Sequence, residues 1–545
     1  MHRGGAGLLA LAIASGCASV DKSLLEAQTP TPPAMWASAE DETSADERAG
    51  LGVAPTGDWL AAFRDEQIRG LVAEAMLNNN TVLQAASSFD GAMAAFKVAR
   101  ADLLPELNAT PSASRNAIVL DPTFAAQAGG GAADVGNVRI QDLEDEFGVD
   151  LDGDGDPDVL DTDGDGVFEP IPNRRLYINN YRLAASLSWE IDLWGRLSDQ
   201  TRAARKDARA AEADLRAAQL SIAGAVTQGW FNLIEARQQR ELGERDVQAL
   251  ERSLEVTERR YERGVSSSLD VRLARSAVGT SRATLATRRQ NEKEAARRLE
   301  VLLGRYPAAE IDGAAALPVL EPLAGAGAPV EILARRPDII AAELRMESAG
   351  LRDRAARKQF LPSLTISSNI NTSGPDLEDV IDPERLAGNI AAGLFQPLFQ
   401  GGRIKANARR QRAEATRSLM AYAQTVLEAY EEAENAVAAE SLLAAREEAQ
   451  KFAFEEAAVA ERITERRYAN GAASIFNLLD AQQARIVAES SYLAAQRQRV
   501  ANRVELYLAI GGDFLTDPAL FSARTAPSAV DAEQTTDASA PGANL

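Results

Sequence analysis

Long stretches without helix breakers make up much of the chain. Residues 403–468 contain neither proline nor glycine, and they hold 18 alanines but only 11 residues that are Leu, Ile, Val or Phe. The pattern predicts one continuous helix of about 100 Å, at a rise of about 1.5 Å per residue. So few large apolar side chains cannot fill a thick core. They indicate coiled-coil-like packing in a thin wall that water wets on both faces.

A different pattern occupies residues 181–193, YRLAASLSWEIDL, where apolar and polar side chains alternate. Alternation with a period of two predicts a strand with one apolar face. A soluble sheet would place further strands at short spacing, whereas helices flank this one, so we interpret it as a strand of a membrane barrel. Three more strands are predicted at residues 106–116, 363–371 and 390–399.

Four strands are too few for a membrane barrel, because even small barrels need about eight. Open sheet edges are not tolerated in lipid. Several chains must therefore contribute strands, and a cyclic trimer with twelve strands is the simplest way to close the sheet.

Helices are predicted on both sides of the strands. Leu104-Pro105 and Leu361-Pro362 each end a helix, and a strand follows each of them. The second of these helices starts within ARRPDII, with Pro337 in a tolerated first-turn position. Each half of the chain therefore has the order helix, strand, loop, strand, long helix, turn, return helix. The other predicted helices cover residues 66–101, 197–263, 269–303 and 475–510.

The chain contains one helix–turn–helix segment twice. Residues 257–277 and 464–484 lie 207 positions apart and are identical at 9 of 21 positions. Gly264 and Gly471 are predicted to end the first helix of each copy in the left-handed conformation, which costs glycine nothing. Serines that follow can cap the next helix, namely Ser266, Ser267, Ser268 and Ser474. The match continues outside the turns, and the first half carries about 50 extra residues between its Leu-Pro pair and Gly195.

Those extra residues belong to an acidic insert at about residues 117–180. Residues 150–158 (DLDGDGDPD) and 161–169 (DTDGDGVFE) each fit D-x-D-x-D-G-x-x-[DE]. Carboxylates on alternate residues of a tight loop converge on one point, as calcium requires. The units resemble the tandem calcium repeats of thrombospondin type 3, and the alternative is an acidic loop without metal. The predicted calcium ligands are Asp150, Asp152, Asp154, Asp158, Asp161, Asp163, Asp165 and Glu169.

The N-terminus is typical of a secretory signal. A short basic start and an apolar run too short for a membrane span precede Cys17, which is the only cysteine. Small residues before Cys17 resemble a bacterial lipobox, so we expect lipidation there; the alternative is an incidental cysteine. No Asp follows at position 18, which agrees with sorting to the outer membrane.

Composition excludes several classes of function. A net charge of −22 makes nucleic acid an unsuitable partner. One histidine argues against histidine-based metal sites, and no nucleophile–base constellation indicates an enzyme. We expect no required cofactor, and calcium in the acidic loop is the one ion that the sequence pattern predicts.

Several motifs together resemble the outer membrane efflux protein family, the TolC-like outer membrane factors. They are SWEIDLWGR (188–196), ARRPDII (334–340), QPLFQGGR (396–403), both Leu-Pro helix ends and both YxxG turns. Their order and spacing agree over residues 59–512, and they are closest to the lipoprotein branch that works with resistance-nodulation-division pumps. The resemblance implies a mixed α and β fold: a trimeric twelve-stranded outer-membrane β-barrel, four strands per chain, continued by a periplasmic α-helical barrel.

The resemblance also implies a function and its residues. The protein would be the passive exit duct of a tripartite efflux pump, in the outer membrane of a Gram-negative bacterium. A periplasmic adaptor would dock at Gly264, Val265, Ser266, Gly471, Ala472 and Ala473. The pore would narrow at a gate formed by Asp480 with Tyr468, Asn477 and Asp270. For Asp480 the alternative is an ordinary solvated helix charge.

Two other functions remain open from the sequence. One is the exit duct of a type I protein secretion system. The other is a calcium-binding coiled-coil surface scaffold, which would need the helices but not the strands. The predicted segments are a signal peptide (1–16), a lipidated linker (17–57), a first repeat with its insert (58–320), a second repeat (321–512) and a disordered tail (513–545).

Overall fold

The computed structural model describes residues 36, 58–120, 174–311, 314, 316–321 and 329–512. The predicted signal peptide, Cys17, the calcium loop and the tail all lie outside these ranges. The chain divides into two compact units. Of the described residues, the first unit takes those within 36–96, 202–353 and 409–512, and the second takes 97–120, 174–201 and 354–408. Each unit therefore draws on both sequence repeats.

Eight α-helices and four strands make up the described ranges, with short 3-10 turns at Trp59–Phe63, Pro329–Glu331, Glu378–Ile381 and Pro383–Arg385. In chain order the elements are α1 (Glu66–Asn78), α2 (Asn80–Ala101), β1 (Glu106–Leu120), β2 (Arg174–Ile191), α3 (Arg196–Glu262), α4 (Ser268–Leu302), α5 (Ile332–Arg335), α6 (Pro337–Lys358), β3 (Ser363–Gly374), β4 (Ala387–Phe395), α7 (Arg403–Ala469) and α8 (Ile475–Ala509). None of the helices in these ranges is both long and apolar enough to cross a membrane.

The second unit holds one antiparallel sheet in the order β1-β2-β3-β4. All four predicted strands are present. β1 and β2 are longer than predicted, since they stay paired from Glu106 opposite Ser188 to Leu120 opposite Arg174. The insert therefore begins at the far end of this hairpin, after Leu120. β4 lies earlier than predicted and ends at Phe395, because Pro397 cannot donate a ladder hydrogen bond.

The predicted helix over residues 66–101 is two helices. Asn79 is extended (φ −69°, ψ 124°) and separates α1 from α2. Its side-chain oxygen accepts the amide of Thr81 at 2.8 Å, which caps α2. Its side-chain amide donates to the carbonyl of Leu302 at 2.8 Å, at the end of α4. One side chain thus breaks the helix, caps its continuation and holds α4.

The core of the first unit forms around aromatic side chains. Trp59 stacks on Tyr507, with ring centroids 6.0 Å apart. Phe63 packs edge-on against Tyr507 and lies 5.1 Å from the ring of Phe231. Such pairs add stability beyond the area that they bury. The Trp59–Phe63 turn is therefore fixed to α3 and α8, the long helices that lead to and from the two glycine turns.

Candidate functional site

The two glycine turns have the same geometry. Gly264 has a φ of 75° and Gly471 a φ of 79°, so both lie in the left-handed region. The amide of Val265 donates to the carbonyl of Arg260 at 2.9 Å, and the amide of Ala472 donates to the carbonyl of Arg467 at 2.7 Å. These are the bonds of a Schellman motif, which satisfies the last carbonyls of a helix. Both turns are confirmed as predicted.

Side chains just after each turn cap the return helices. Ser267 and Asp270 form a capping box, in which the Asp270 carboxylate accepts the Ser267 amide at 2.9 Å and Ser267 accepts the Asp270 amide at 3.2 Å. Ser474 caps α8 by accepting the amide of Asn477 at 3.3 Å. Asp270 and Asn477 occupy equivalent positions, and both are engaged locally in ending a turn and starting a helix.

The predicted docking and gate residues lie close to these turns. Gly264, Val265, Gly471 and Ala472 are exposed, and Ser266 and Ala473 are half-buried. Asp480 is exposed and lies three residues beyond Asn477, on the same face of α8. Tyr468 differs from the others because only 4% of it is exposed.

Tyr468 is held by the other copy of the turn. Its hydroxyl lies 2.8 Å from the hydroxyl of Thr257. Thr257 already donates its single hydrogen to the carbonyl of Ser253, at 2.7 Å, so Tyr468 must be the donor between them. Arg260 donates to the carbonyl of Tyr468 at 2.6 Å, and its guanidinium carbon lies 4.8 Å from the centre of the ring. A hydrogen bond, an arginine contact and burial together fix the end of α7 to α3.

A buried ion cluster lies further from the turns. The Arg485 guanidinium contacts Asp246 at 2.7 Å, Glu461 at 2.8 Å and Glu489 at 2.9 Å. Burial alone would lower the pKa of Arg485, but these carboxylates raise it above its ordinary value. Arg485 therefore stays charged and links α3, α7 and α8.

Sequence reasoning singled out Tyr468 but missed these partners. Thr257 and Arg260 lie more than 200 positions before Tyr468, and no local pattern connects them. Within the cluster, only the spacing of Arg485 and Glu489 by four residues could have been noticed.

The motif SWEIDLWGR joins a strand to a long helix in the second unit. Glu190 binds Arg196 at 2.7 Å. The Asp192 carboxylate caps α3 by accepting the amides of Leu197 at 3.0 Å and Ser198 at 2.8 Å. The motif therefore makes the transition from β2 to α3.

The motif ARRPDII has a corresponding role in the first unit. Arg336 contacts Asp338 at 2.6 Å and Glu432 at 2.8 Å, and it donates to the carbonyl of Ala509 at 3.2 Å. Pro337 is the first residue of α6, as predicted. The motif ties the start of the second repeat to α7 and to the end of α8.

The described residues contain no group of three or more His, Cys, Asp or Glu side chains that could hold a metal ion. The predicted calcium ligands lie outside those residues, so calcium binding stays a prediction.

Comparisons with known proteins agree with the motifs. The sequence model of the family described as "Outer membrane efflux protein" matches residues 172–305 and 328–512. The pyoverdine export outer membrane protein OpmQ of Pseudomonas aeruginosa is 26% identical over 467 residues, covering 84% of this chain and 88% of that protein. The probable outer membrane lipoprotein SilC of Salmonella typhimurium is 25% identical over 461 residues, covering 84% of this chain and 88% of that protein.

A solved structure of the outer-membrane channel OprN is similar to this chain, with a TM-score of 0.71 and 21% identity. The similarity covers 89% of this chain and 99% of that one. It confirms the predicted mixed α and β fold.

Proposed function

The chain belongs to the outer membrane efflux protein family and is an outer membrane channel of a tripartite efflux system, and from this premise we propose that three copies form one duct that exports small toxic molecules. The family consists of channels rather than enzymes, and we assign the protein no chemistry of its own. Its partners would be a periplasmic adaptor and an inner-membrane pump of the resistance-nodulation-division type.

The trimer is supported by the two open edges of the sheet. Within the described residues of this chain, β1 and β4 each pair on one side only. All nine residues of β4 are exposed, including the apolar Ile390, Leu394 and Phe395. Because lipid cannot satisfy unpaired backbone groups, β4 of one chain needs β1 of another. Three four-stranded sheets would close a ring of twelve strands.

The experiment is to purify the protein in detergent, measure its mass by light scattering and record conductance in planar bilayers. The proposal expects the mass of three chains and discrete single-channel steps. A monomer without conductance would contradict it and would favour a helical surface scaffold.

We further propose that the adaptor docks at the exposed turn residues. Gly264 and Val265 in one copy, and Gly471 and Ala472 in the other, present small or apolar surface at a helix end. A bulky charged residue, as in Ala472→Glu, should abolish efflux while leaving trimer and conductance unchanged. Efflux at the wild-type rate would contradict the docking site.

Two proposals concern residues outside the described ranges. We propose that Cys17 carries lipid, so labelled palmitate should enter the wild type but not the Cys17→Ser variant.

We also propose that residues 150–169 bind calcium outside the cell, where millimolar calcium suffices for modest sites. Isothermal titration of the purified trimer, against a variant lacking the insert, tests this, and equal heats would contradict it.

A further inference from the structure

The two copies of the helix–turn–helix segment differ in their contacts within the single chain. The contact that fixes Tyr468 involves three residues: Thr257 and Arg260 come from the first copy, and Tyr468 itself comes from the second. At an offset of 207 positions, their equivalents are Thr464, Arg467 and Tyr261. All three residue types are therefore present in both copies. The chain uses only one of the two sets that it encodes.

The second set is available for contact. Half of Tyr261 is exposed, against 4% for Tyr468, and Arg467 is exposed as well. Among the residues that the structure describes, neither the hydroxyl of Tyr261 nor the guanidinium of Arg467 has a hydrogen-bond partner. Ile463 is 52% exposed and is the equivalent of Val256, which packs against the buried cluster of Tyr468, Ile475 and Leu478. The exposed patch thus repeats the apolar as well as the polar parts of the buried contact.

The acceptor in this second set is already oriented. Thr464 donates its hydroxyl hydrogen to the carbonyl of Ala460 at 2.8 Å. Thr257 makes the same bond to Ser253, which is the equivalent of Ala460. A threonine whose hydrogen is used in this way can only accept from another hydroxyl. Thr464 is therefore prepared to receive a tyrosine hydroxyl, as Thr257 does.

We propose that Tyr261 of one chain docks against Thr464 and Arg467 of the partner subunit, and so repeats the Tyr468 contact between chains. The inference rests on the trimer of the proposed function and identifies a contact that holds it. Within one chain, Tyr468 of the second copy binds the first copy. Between chains, Tyr261 in the first copy of one chain binds the second copy of its neighbour. The same head-to-tail contact, repeated six times in one direction, closes a ring of three chains.

Cross-linking between chains tests the proposal. In a Cys17→Ser background the introduced thiols are the only ones, because the sequence has one cysteine. Tyr261→Cys and Thr464→Cys chains with different tags are co-expressed and treated with a short bis-maleimide. A cross-linker is needed because a tyrosine that contacts a threonine through its hydroxyl holds the two backbones further apart than a disulfide can span. We expect a covalent species with both tags. The Tyr261→Cys/Thr464→Cys double variant should give a covalent trimer.

The matched control is the pair within one chain. Thr257→Cys and Tyr468→Cys should cross-link when both are in the same chain, but not when they are on separate co-expressed chains. Trimers that form normally but give no covalent species with Tyr261→Cys and Thr464→Cys would overturn the inference and leave the proposed channel intact. A wild-type protein that is monomeric by light scattering would overturn both.

Discussion

At the scale of single hydrogen bonds, Glu300 fixes the segment that follows α4. It is 2% exposed, and its carboxylate accepts the amides of Ala309 at 2.6 Å, Glu310 at 2.7 Å and Ile311 at 3.3 Å. Burial alone would raise the pKa of Glu300, but these three donors together hold the pKa below its ordinary value. The carboxylate therefore contributes stability above its unfolded pKa of about 4.3, and the contribution is lost as the pH falls through the lower folded pKa.

Glu300→Gln should lower the free energy of unfolding by about 1–3 kcal/mol at neutral pH. The side-chain NH2 group of glutamine would face a backbone N–H group, and both groups are donors. The difference from wild type should shrink as the pH falls through the lowered pKa of folded Glu300, because the wild-type carboxylate then becomes protonated. Thermal unfolding followed by circular dichroism at several pH values measures this. Glu294→Gln, on the same helix in a surface pair with Arg298, is the control and should change the stability by less than about 1 kcal/mol. An equal effect of both changes would refute the role of Glu300.

Asp480 carries the prediction for the gate. Three exposed carboxylates around one narrow axis would attract cations and bind divalent blockers. Asp480→Ala should therefore weaken cation selectivity and remove block by divalent cations from the periplasmic side, with little change in stability. Asn477→Ala, on the same face of α8, is the matched control and should change either property only slightly. Selectivity and block that stay unchanged in an assembled Asp480→Ala trimer would show an ordinary solvated helix charge.

Single residues could be predicted from sequence where their role is local. The left-handed glycines and capping serines were identifiable, because a turn needs them within a few positions. The partners of Tyr468 were not, since Thr257 and Arg260 meet it only after two long helices have packed. The capping role of Asp270 was also missed, although Ser267-x-x-Asp270 has the spacing of a capping box.

The break between α1 and α2 gives a prediction at the scale of elements. Asn79→Ala removes the cap of α2 and leaves the carbonyl of Leu302 without its donor, so the protein should lose about 1–2 kcal/mol of stability. Asn80→Ala is the natural control, because Asn80 is adjacent and exposed. Thermal denaturation of both variants provides the comparison, and equal melting temperatures would contradict the assigned role of Asn79.

The break between α1 and α2 could not be predicted from the sequence pattern. Residues 78–80 are all asparagine, so no glycine or proline marks a helix end there, and the apolar spacing continues across them. Only contact with α4 decides that Asn79 leaves the helix. The lengths of β1 and β2 were likewise underestimated, because the pairing between the two strands, and no alternating pattern, carries them out to Leu120 and Arg174. Long helices without breakers, in contrast, were predicted to within a few residues.

The insert provides the prediction for the whole molecule. Leu120 and Arg174 are paired across β1 and β2, so the chain is already closed into a hairpin where the insert begins. Replacing residues 121–173 by a two-residue Asn-Gly turn should leave the trimer and its conductance intact. Light scattering and planar bilayers measure both properties. Loss of assembly in this variant would show that the insert helps to build the channel.

The duplication could be read from the sequence, but the compact units could not. Each unit collects segments from both repeats. Pairing of β2 with β3, across more than 170 positions of chain, decides this grouping. No local pattern records such a pairing.

The different surroundings of Tyr261 and Tyr468 set an order of events in time. Tyr468 finds all its partners in its own chain, so it can be buried at a rate independent of protein concentration. Tyr261 has no such partners among the described residues and must wait for a second chain, at a rate that rises with concentration. A motif that occurs twice in the sequence is thus completed first while the chain folds, and again when chains meet.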